Sequence, residues 1–228
     1  MDDRTIDGIL SHFKHTYRHP FPRQLGFPKQ KKVYDSDEML TIVESKINNS
    51  NCYGAVFSDY QQENSIFDKL FVDIDSETNM KLATTEMKKL YTFHKEYFNH
   101  ELRIYFSANK GYAIYFDFPK IEVSYEKVWR YIDNLSLMLN LKCVDLKVSK
   151  DYRRISRMPY TTNYNNILKG KEPKLCVPID PNWSYNQILT ESKNCKYKHP
   201  IVIEPCLDVQ KIIKRIKVPK RQTIGSYP

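Results

Sequence analysis

The stretch from Asp68 to Asp75, DKLFVDID, limits what this chain can fold into more than any other. Leu70, Val72 and Ile74 alternate with Phe71, Asp73 and Asp75, the period of a β-strand with its first set toward a core. Two carboxylates, Asp73 and Asp75, then stand side by side on the other face of a rigid element. Unpaired in a folded interior they would be costly, so a divalent cation or a basic partner is expected beside them. Three readings are open here: a metal-binding D-x-D of the kind glycosyltransferases use, the first strand of an aspartyl-nucleophile phosphatase, and a solvated strand end. The phosphatase needs a later acidic pair at the end of an apolar strand, and none follows.

The rest of the pattern places this strand in a mixed fold. Helices are expected over 3–17, 36–49, 79–98 and 125–140, the last capped by Ser124, and a helix over 207–216 with Val209, Ile212, Ile213 and Ile216 on its apolar side. Strands are expected over 53–58, 68–75, 101–107 and 112–118, with short strands and loops from 143 to 206. Such an order predicts an α/β or α+β domain with a mostly antiparallel sheet. At 41% hydrophobic and 13% aromatic residues the chain can bury one sizeable core. It has no 18-residue apolar run, so no membrane span is expected, and its N-terminus lacks the pattern of a signal peptide. Five cysteines without a C-x-x-C pair suit reduced thiols in a cytoplasmic protein and argue against a zinc site.

Charge is unevenly spread. The net +9 comes from two stretches: nine Lys/Arg against three Asp/Glu over Leu141–Lys174, and six against one over Leu207–Pro228. Concentrated positive charge suits a polyphosphate partner. In the last helix Lys211, Lys214 and Arg215 share one side, with Lys217, Lys220 and Arg221 beyond, and nucleic acid is expected to run along or beside them.

Two further constellations carry chemistry. In SANKGYAIYF, Ser107 and Lys110 offer a hydroxyl and a charge suited to phosphate, and Gly111 permits a positive φ and a close backbone approach. An ordinary hairpin turn would read the same way. In VDLKVSKDYRRISRMPYT, Asp145 is an isolated carboxylate in a basic run, followed by Arg153, Arg154 and Arg157, with Pro159 ending the strand. Taken singly this could be a basic edge strand.

Together FVDID, then SANKGY, then VDLKVSKDYRRISRMPYT, each roughly 35 residues after the last, resemble the three-motif order of the archaeo-eukaryotic primase superfamily, above all the primase–polymerases of archaeal plasmids and viruses. The resemblance spans about residues 50–180. It implies an α+β primase core, a small α/β module with an RNA-recognition-like palm sheet, over residues 1–206. Residues 207–228 would then form a basic helix and tail leading toward a further domain. It implies that Asp73, Asp75 and Asp145 hold two Mg²⁺ or Mn²⁺ ions, and that Ser107, Lys110, Gly111 and Arg157 meet the incoming nucleoside triphosphate. The reaction would be templated attack of a 3′-hydroxyl on the α-phosphate over single-stranded DNA, with other replication subunits or a helicase domain as partners.

The chain departs from the family at one position of the second motif, and it also lacks the family's zinc-stem cluster of cysteines and histidine, as some subfamilies do. A histidine usually follows the second-motif glycine by two residues, and here that residue is Ala113. Tyr112 or Tyr115 could supply a hydrogen bond but no charge, leaving Lys110 or Lys147 as compensating cations. The same departure favours the alternative, a weak or inactive primase-fold subunit that binds nucleic acid.

Overall fold

The computed structural model describes residues 3–16, 23–26, 31–46, 50–57, 64–151, 153–194 and 203–218. The N-terminal part runs α1 (Asp3–Thr16), β1 (Arg23–Leu25), β2 (Lys31–Val33), α2 (Ser36–Lys46) and β3 (Tyr53–Ala55). The middle runs β4 (Asn64–Asp75), α3 (Met80–Phe98), β5 (Arg103–Phe106), β6 (Gly111–Ser124) and α4 (Tyr125–Met138). Then come α5 (Leu146–Ser149), β7 (Ile155–Arg157), α6 (Tyr164–Leu168), β8 (Val177–Pro178), α7 (Tyr185–Asn194) and α8 (Leu207–Arg215). Lys220, Arg221 and Cys195, together with His12, His15 and His19 as side chains, lie outside what is described.

Two four-stranded antiparallel sheets result, ordered β2-β1-β3-β7 and β4-β6-β5-β8. The second is built on the long β4–β6 ladder, in which Asp73 faces Ala113 and Asp75 faces Gly111. Its alternation sorts side chains by face. Leu70, Val72 and Ile74 of β4, with Tyr112, Ile114 and Phe116 of β6, make the side covered by α3, where Thr84 and the Tyr112 hydroxyl are 2.7 Å apart. Phe71, Tyr105 and Tyr115 pack edge to face on the other side, at 5.3 and 5.8 Å between ring centres. A second, smaller core of Ile9, Leu25, Val33, Met39, Val43, Cys52 and Met158 joins α1 and α2 to the first sheet.

Three expectations from sequence need correction. Residues 143–206 are not only strands and loops, since they contain α5, α6 and α7. Two of these helices are too short for apolar periodicity to register, and each is set by a side-chain cap: Asp145 accepts from the Val148 amide and Asn163 from the Asn165 amide. Ser124 does occupy the N-cap of α4, but its hydroxyl makes no capping hydrogen bond. On α8, Val209 and Ile213 are buried while Ile212 sits at the rim, 37% exposed.

Candidate active site

The two sheets meet across an open cleft of about 210 Å³. From the second sheet come Asp73 and Asp75 at the end of β4, Ala113 opposite them, and Ser107 and Lys110 from the β5–β6 turn. The facing wall belongs to the first sheet, with Tyr53 on β3, Ser156 and Arg157 on β7, and Arg154 just before β7.

Strand register accounts for the acidic floor. A Cβ built on Gly111 would lie 2.0 Å from Asp75 Oδ1 and 2.2 Å from the Ile74 carbonyl oxygen, so only glycine lets β6 begin this close to β4. Close approach is its role, and the left-handed residue of the turn is instead Ala108, at φ 65°. Ser107 closes the turn by donating its amide to the Gly111 carbonyl at 2.9 Å.

Asp145 reaches the same neighbourhood through its backbone. Val144 bridges to Ile74 on the free edge of β4, the Asp145 amide donates to the Asp73 carbonyl at 2.8 Å, and the Ser149 hydroxyl accepts from the Asp73 amide at 2.9 Å. The preceding turn is held by Glu86, a buried carboxylate on α3 that accepts from the amides of Lys142 and Cys143 at 2.7 to 2.9 Å. The Asp145 carboxylate itself is turned onto α5, 3.0 Å from the Val148 amide, and does not line the cleft. A basic edge strand was one reading of this stretch; it holds for Ile155–Arg157, which form β7 at the edge of the first sheet, whereas Asp145 caps α5.

Electrostatics single out Asp73. Its carboxyl is pushed up to about 7, first by burial and next by the negative charge of Asp75, while Arg154 pulls the other way. Arg154 Nη2 stands 3.4 Å from Asp73 Oδ2, and its Nε is buried without a hydrogen-bond partner. Lys110 pairs with Asp75 at 3.2 Å and Glu77 at 3.3 Å; burial works against its charge, but these carboxylates prevail and hold its pKa above the ordinary lysine value.

The remaining residues singled out in the sequence fall into two groups. Arg157 lines the cleft, but its guanidinium is already engaged. It donates to Asn51 Oδ1 at 2.5 Å, the Thr162 carbonyl at 3.3 Å and the Tyr53 hydroxyl at 2.9 Å, and lies 4.9 Å from the centre of the Tyr53 ring. Lys147 is exposed on α5 and does not line the cleft, so the cation nearest Asp73 is Arg154, which lay unassigned in the run RRISR. Lys211, Lys214 and Arg215 are exposed on α8, which packs on α4 and on the Pro119–Lys120 end of β6, and none of them lines the cleft.

Two antiparallel sheets facing each other across a carboxylate-floored cleft, one backed by α3 and α4 and the other by α1 and α2, define an α+β primase-core fold. A solved structure that shares it is the polymerase domain from Mycobacterium tuberculosis Ligase D in complex with DNA, with a TM-score of 0.51 over 82% of this chain and 86% of that one. Identity is 13%, so the likeness is one of fold. No protein-family model matches the sequence, and no curated protein matches it either. Among the described residues no helix is long and apolar enough to cross a membrane.

Proposed function

We propose that this chain is a template-directed nucleotidyltransferase, a DNA primase or primase–polymerase akin to those of archaeal plasmids and viruses. The observation that carries the reading is the pair Asp73 and Asp75 on the floor of the cleft, where burial and the charge of Asp75 push the Asp73 carboxyl up to about 7. A pair of oxygen donors so placed suits Mg²⁺ or Mn²⁺. Asp73 and Asp75 would hold the ions, joined by Asp145 once its carboxylate turns from the α5 amide. Bound there, the ions would supply charge stabilisation for attack of a 3′-hydroxyl on an α-phosphate.

The chain's own groups bind and orient the substrate. Arg154 and Lys110 project from opposite walls and carry donors for the triphosphate, with Ser107 adding a hydroxyl at the turn. Ala113 leaves open the space the family fills with histidine, and Arg154 supplies the positive charge there. Arg157, locked onto Tyr53, Asn51 and Thr162, keeps the first-sheet wall in register and presents its outer edge to the nucleotide. The template is single-stranded DNA, and the α8 face with Lys211, Lys214 and Arg215 serves DNA that has left the cleft. Residues 1–206 form the catalytic core and 207–228 a basic appendage, with a helicase or another replication subunit as partner in the cytoplasm.

A second reading, a primase-fold subunit of weak or no activity, draws on Ala113 and on the committed guanidinium of Arg157. Primer synthesis on single-stranded DNA, with labelled ribo- and deoxynucleotides and Mn²⁺ or Mg²⁺, separates the two. Product from the wild type that disappears in Asp73→Ala supports the enzyme. Absence of product with every nucleotide and metal, alongside retained DNA binding, supports the subunit.

A further inference from the structure

Midway along β6, at Phe116 and Asp117, on the helix-covered side of the sheet, three side chains from distant parts of the sequence meet. His94 in the last turns of α3, His100 in the loop before β5 and Cys206 at the head of α8 each place a ligand atom within 4.8 Å of the other two. It is the one such group of three among the described residues. His94 and Cys206 are buried, and His100 is half-buried and opens the site to solvent.

Geometry distinguishes this from a casual polar contact. His94 Nε2 and His100 Nδ1 are 3.3 Å apart. That is long for an N–H···N hydrogen bond and matches the edge of a tetrahedron with metal–nitrogen distances of about 2.0–2.1 Å, roughly 3.3–3.4 Å. The outer nitrogen of His100, Nε2, donates to the Glu204 carbonyl, which leaves Nδ1 as the bare, inward-facing atom. Imidazoles that bind metals are oriented in this way. His94 is clamped with its ring centre 4.9 Å from that of Phe98 and 4.9 Å from that of Phe116.

Cys206 adds an independent sign. It occupies the N-cap of α8, where serine, threonine, aspartate or asparagine would accept a hydrogen bond from the helix, and its side chain makes none. The sulfur is therefore not committed to capping.

We propose that His94, His100 and Cys206 form a binding site for one zinc ion, which fastens α8 to α3 and to the palm sheet. Two imidazole nitrogens and a thiolate are borderline-to-soft donors that suit Zn²⁺ and not the oxygen-seeking Mg²⁺ or Mn²⁺ of the cleft. Cys206 binds as thiolate and releases its proton to solvent, and water takes the fourth corner beside His100. The ion joins contacts that already hold the helix: the Cys206 amide on the Asp117 carbonyl at 2.8 Å, and Gln210 Nε2 on the carbonyls of Pro119 and Lys120 at 2.9 and 3.3 Å. Sequence spacing hides the site and gave the contrary expectation, because Cys206 follows the two histidines at long range with no C-x-x-C pair.

The test uses the full chain, stripped with chelator and titrated with Co²⁺ in excess Mg²⁺ so that the carboxylate cleft is masked. One Co²⁺ per chain is expected, with near-ultraviolet thiolate-to-cobalt absorption and the intense visible bands of a tetrahedral centre, all displaced by Zn²⁺. Cys206→Ser keeps a hydroxyl suited to the N-cap; it should lose the near-ultraviolet band and bind Zn²⁺ at least about tenfold more weakly. Zn²⁺ should raise the melting midpoint of the wild type but not of Cys206→Ser or His100→Asn. A cobalt spectrum without a thiolate band, a band that survives Cys206→Ser, or equal zinc effects on all three proteins would overturn the proposal.

Discussion

The cleft face of the palm sheet carries charged groups at both ends, and the two ends are built on opposite terms. At one end Lys69, Arg103 and Asp117 are each at most 6% exposed, and they answer one another. Arg103 Nε donates to Asp117 at 2.7 Å, Lys69 pairs with Asp68 at the register shift in β4, and Arg23 reaches in from the first sheet to the carbonyls of Ala55 and Val56. Burial pushes Asp117 up, but Arg103 and Lys69 pull against it; at Asp68 the same burial is outweighed by Lys69, and its pKa falls. At the other end Asp73 and Asp75 repel each other, Arg154 stands off at 3.4 Å with an unsatisfied Nε, and Asp73 is driven to about 7. Charges that serve the fold come with their partners in the chain. Charges left short of partners beside open space are fitted to something that arrives from solution.

The largest contrast expected is between Asp73→Ala and Asp117→Ala. The first should abolish primer synthesis while the protein melts no earlier than wild type in chelator. The second removes the buried carboxylate that Arg103 donates to, while Lys69 keeps Asp68, and should cost about 3–5 kcal/mol of stability by denaturant titration. If both variants lose stability alike, the two ends are not different in kind.

A pH series sharpens the same difference. Asp73 titrates near 3.8 when unfolded and near 7 when folded, so the folded state holds the proton more tightly. Its contribution to stability is present below about pH 4 and is lost as the pH rises to 7. In chelator, Asp73→Asn should therefore outlast the wild type above pH 7 by roughly 1–4 kcal/mol, with the gap closing by pH 4. Mn²⁺ should raise the wild-type midpoint at pH 8 and leave that of Asp73→Asn nearly unchanged.

Legibility from sequence follows the same divide. The Asp73–Asp75 pair was readable because a strand's period of two puts both residues on one face. The buried end was not, since Lys69, Arg103 and Asp117 interrupt apolar runs at positions where only the tertiary pairing explains them. The three arginines of RRISR look alike in sequence until the chain entering β7 fixes Arg154 as the one that faces Asp73, and the phosphate role the resemblance implies for Arg157 competes with its bonds to Asn51, Tyr53 and Thr162. Asp145 was found by its isolation in basic sequence, yet nothing there showed that it caps α5. One signal was present and unread: Ser184 and Gln187 form a reciprocal capping box at the start of α7, the S-x-x-Q pattern that marks a helix start.

Smaller effects bear on which cation meets the triphosphate. Arg154→Lys should raise the nucleotide KM about tenfold, because a lysine loses the planar fork, whereas Arg157→Lys should mainly lower stability. A larger KM effect at Arg157 would reverse the two roles. Ala113→His should tighten nucleotide binding by about 1–3 kcal/mol in an Arg154→Lys background and by less in the wild type, where Arg154 already serves that space. Smallest of all, neutralising Lys211, Lys214 and Arg215 together should flatten the dependence of log DNA affinity on log salt, with single-nucleotide binding unaffected.

Direct titration of Mn²⁺, followed by the loss of its free-ion magnetic resonance signal, tests the difference between the two ends most simply. Saturable binding should appear in the wild type at pH 8, weaken as the pH falls through 7 and Asp73 takes up its proton, and vanish in the double variant Asp73→Asn, Asp75→Asn, while Asp117→Asn binds as the wild type does. Equal Mn²⁺ uptake by the double variant and the wild type would contradict the claim that the carboxylates of the cleft are set for metal ions.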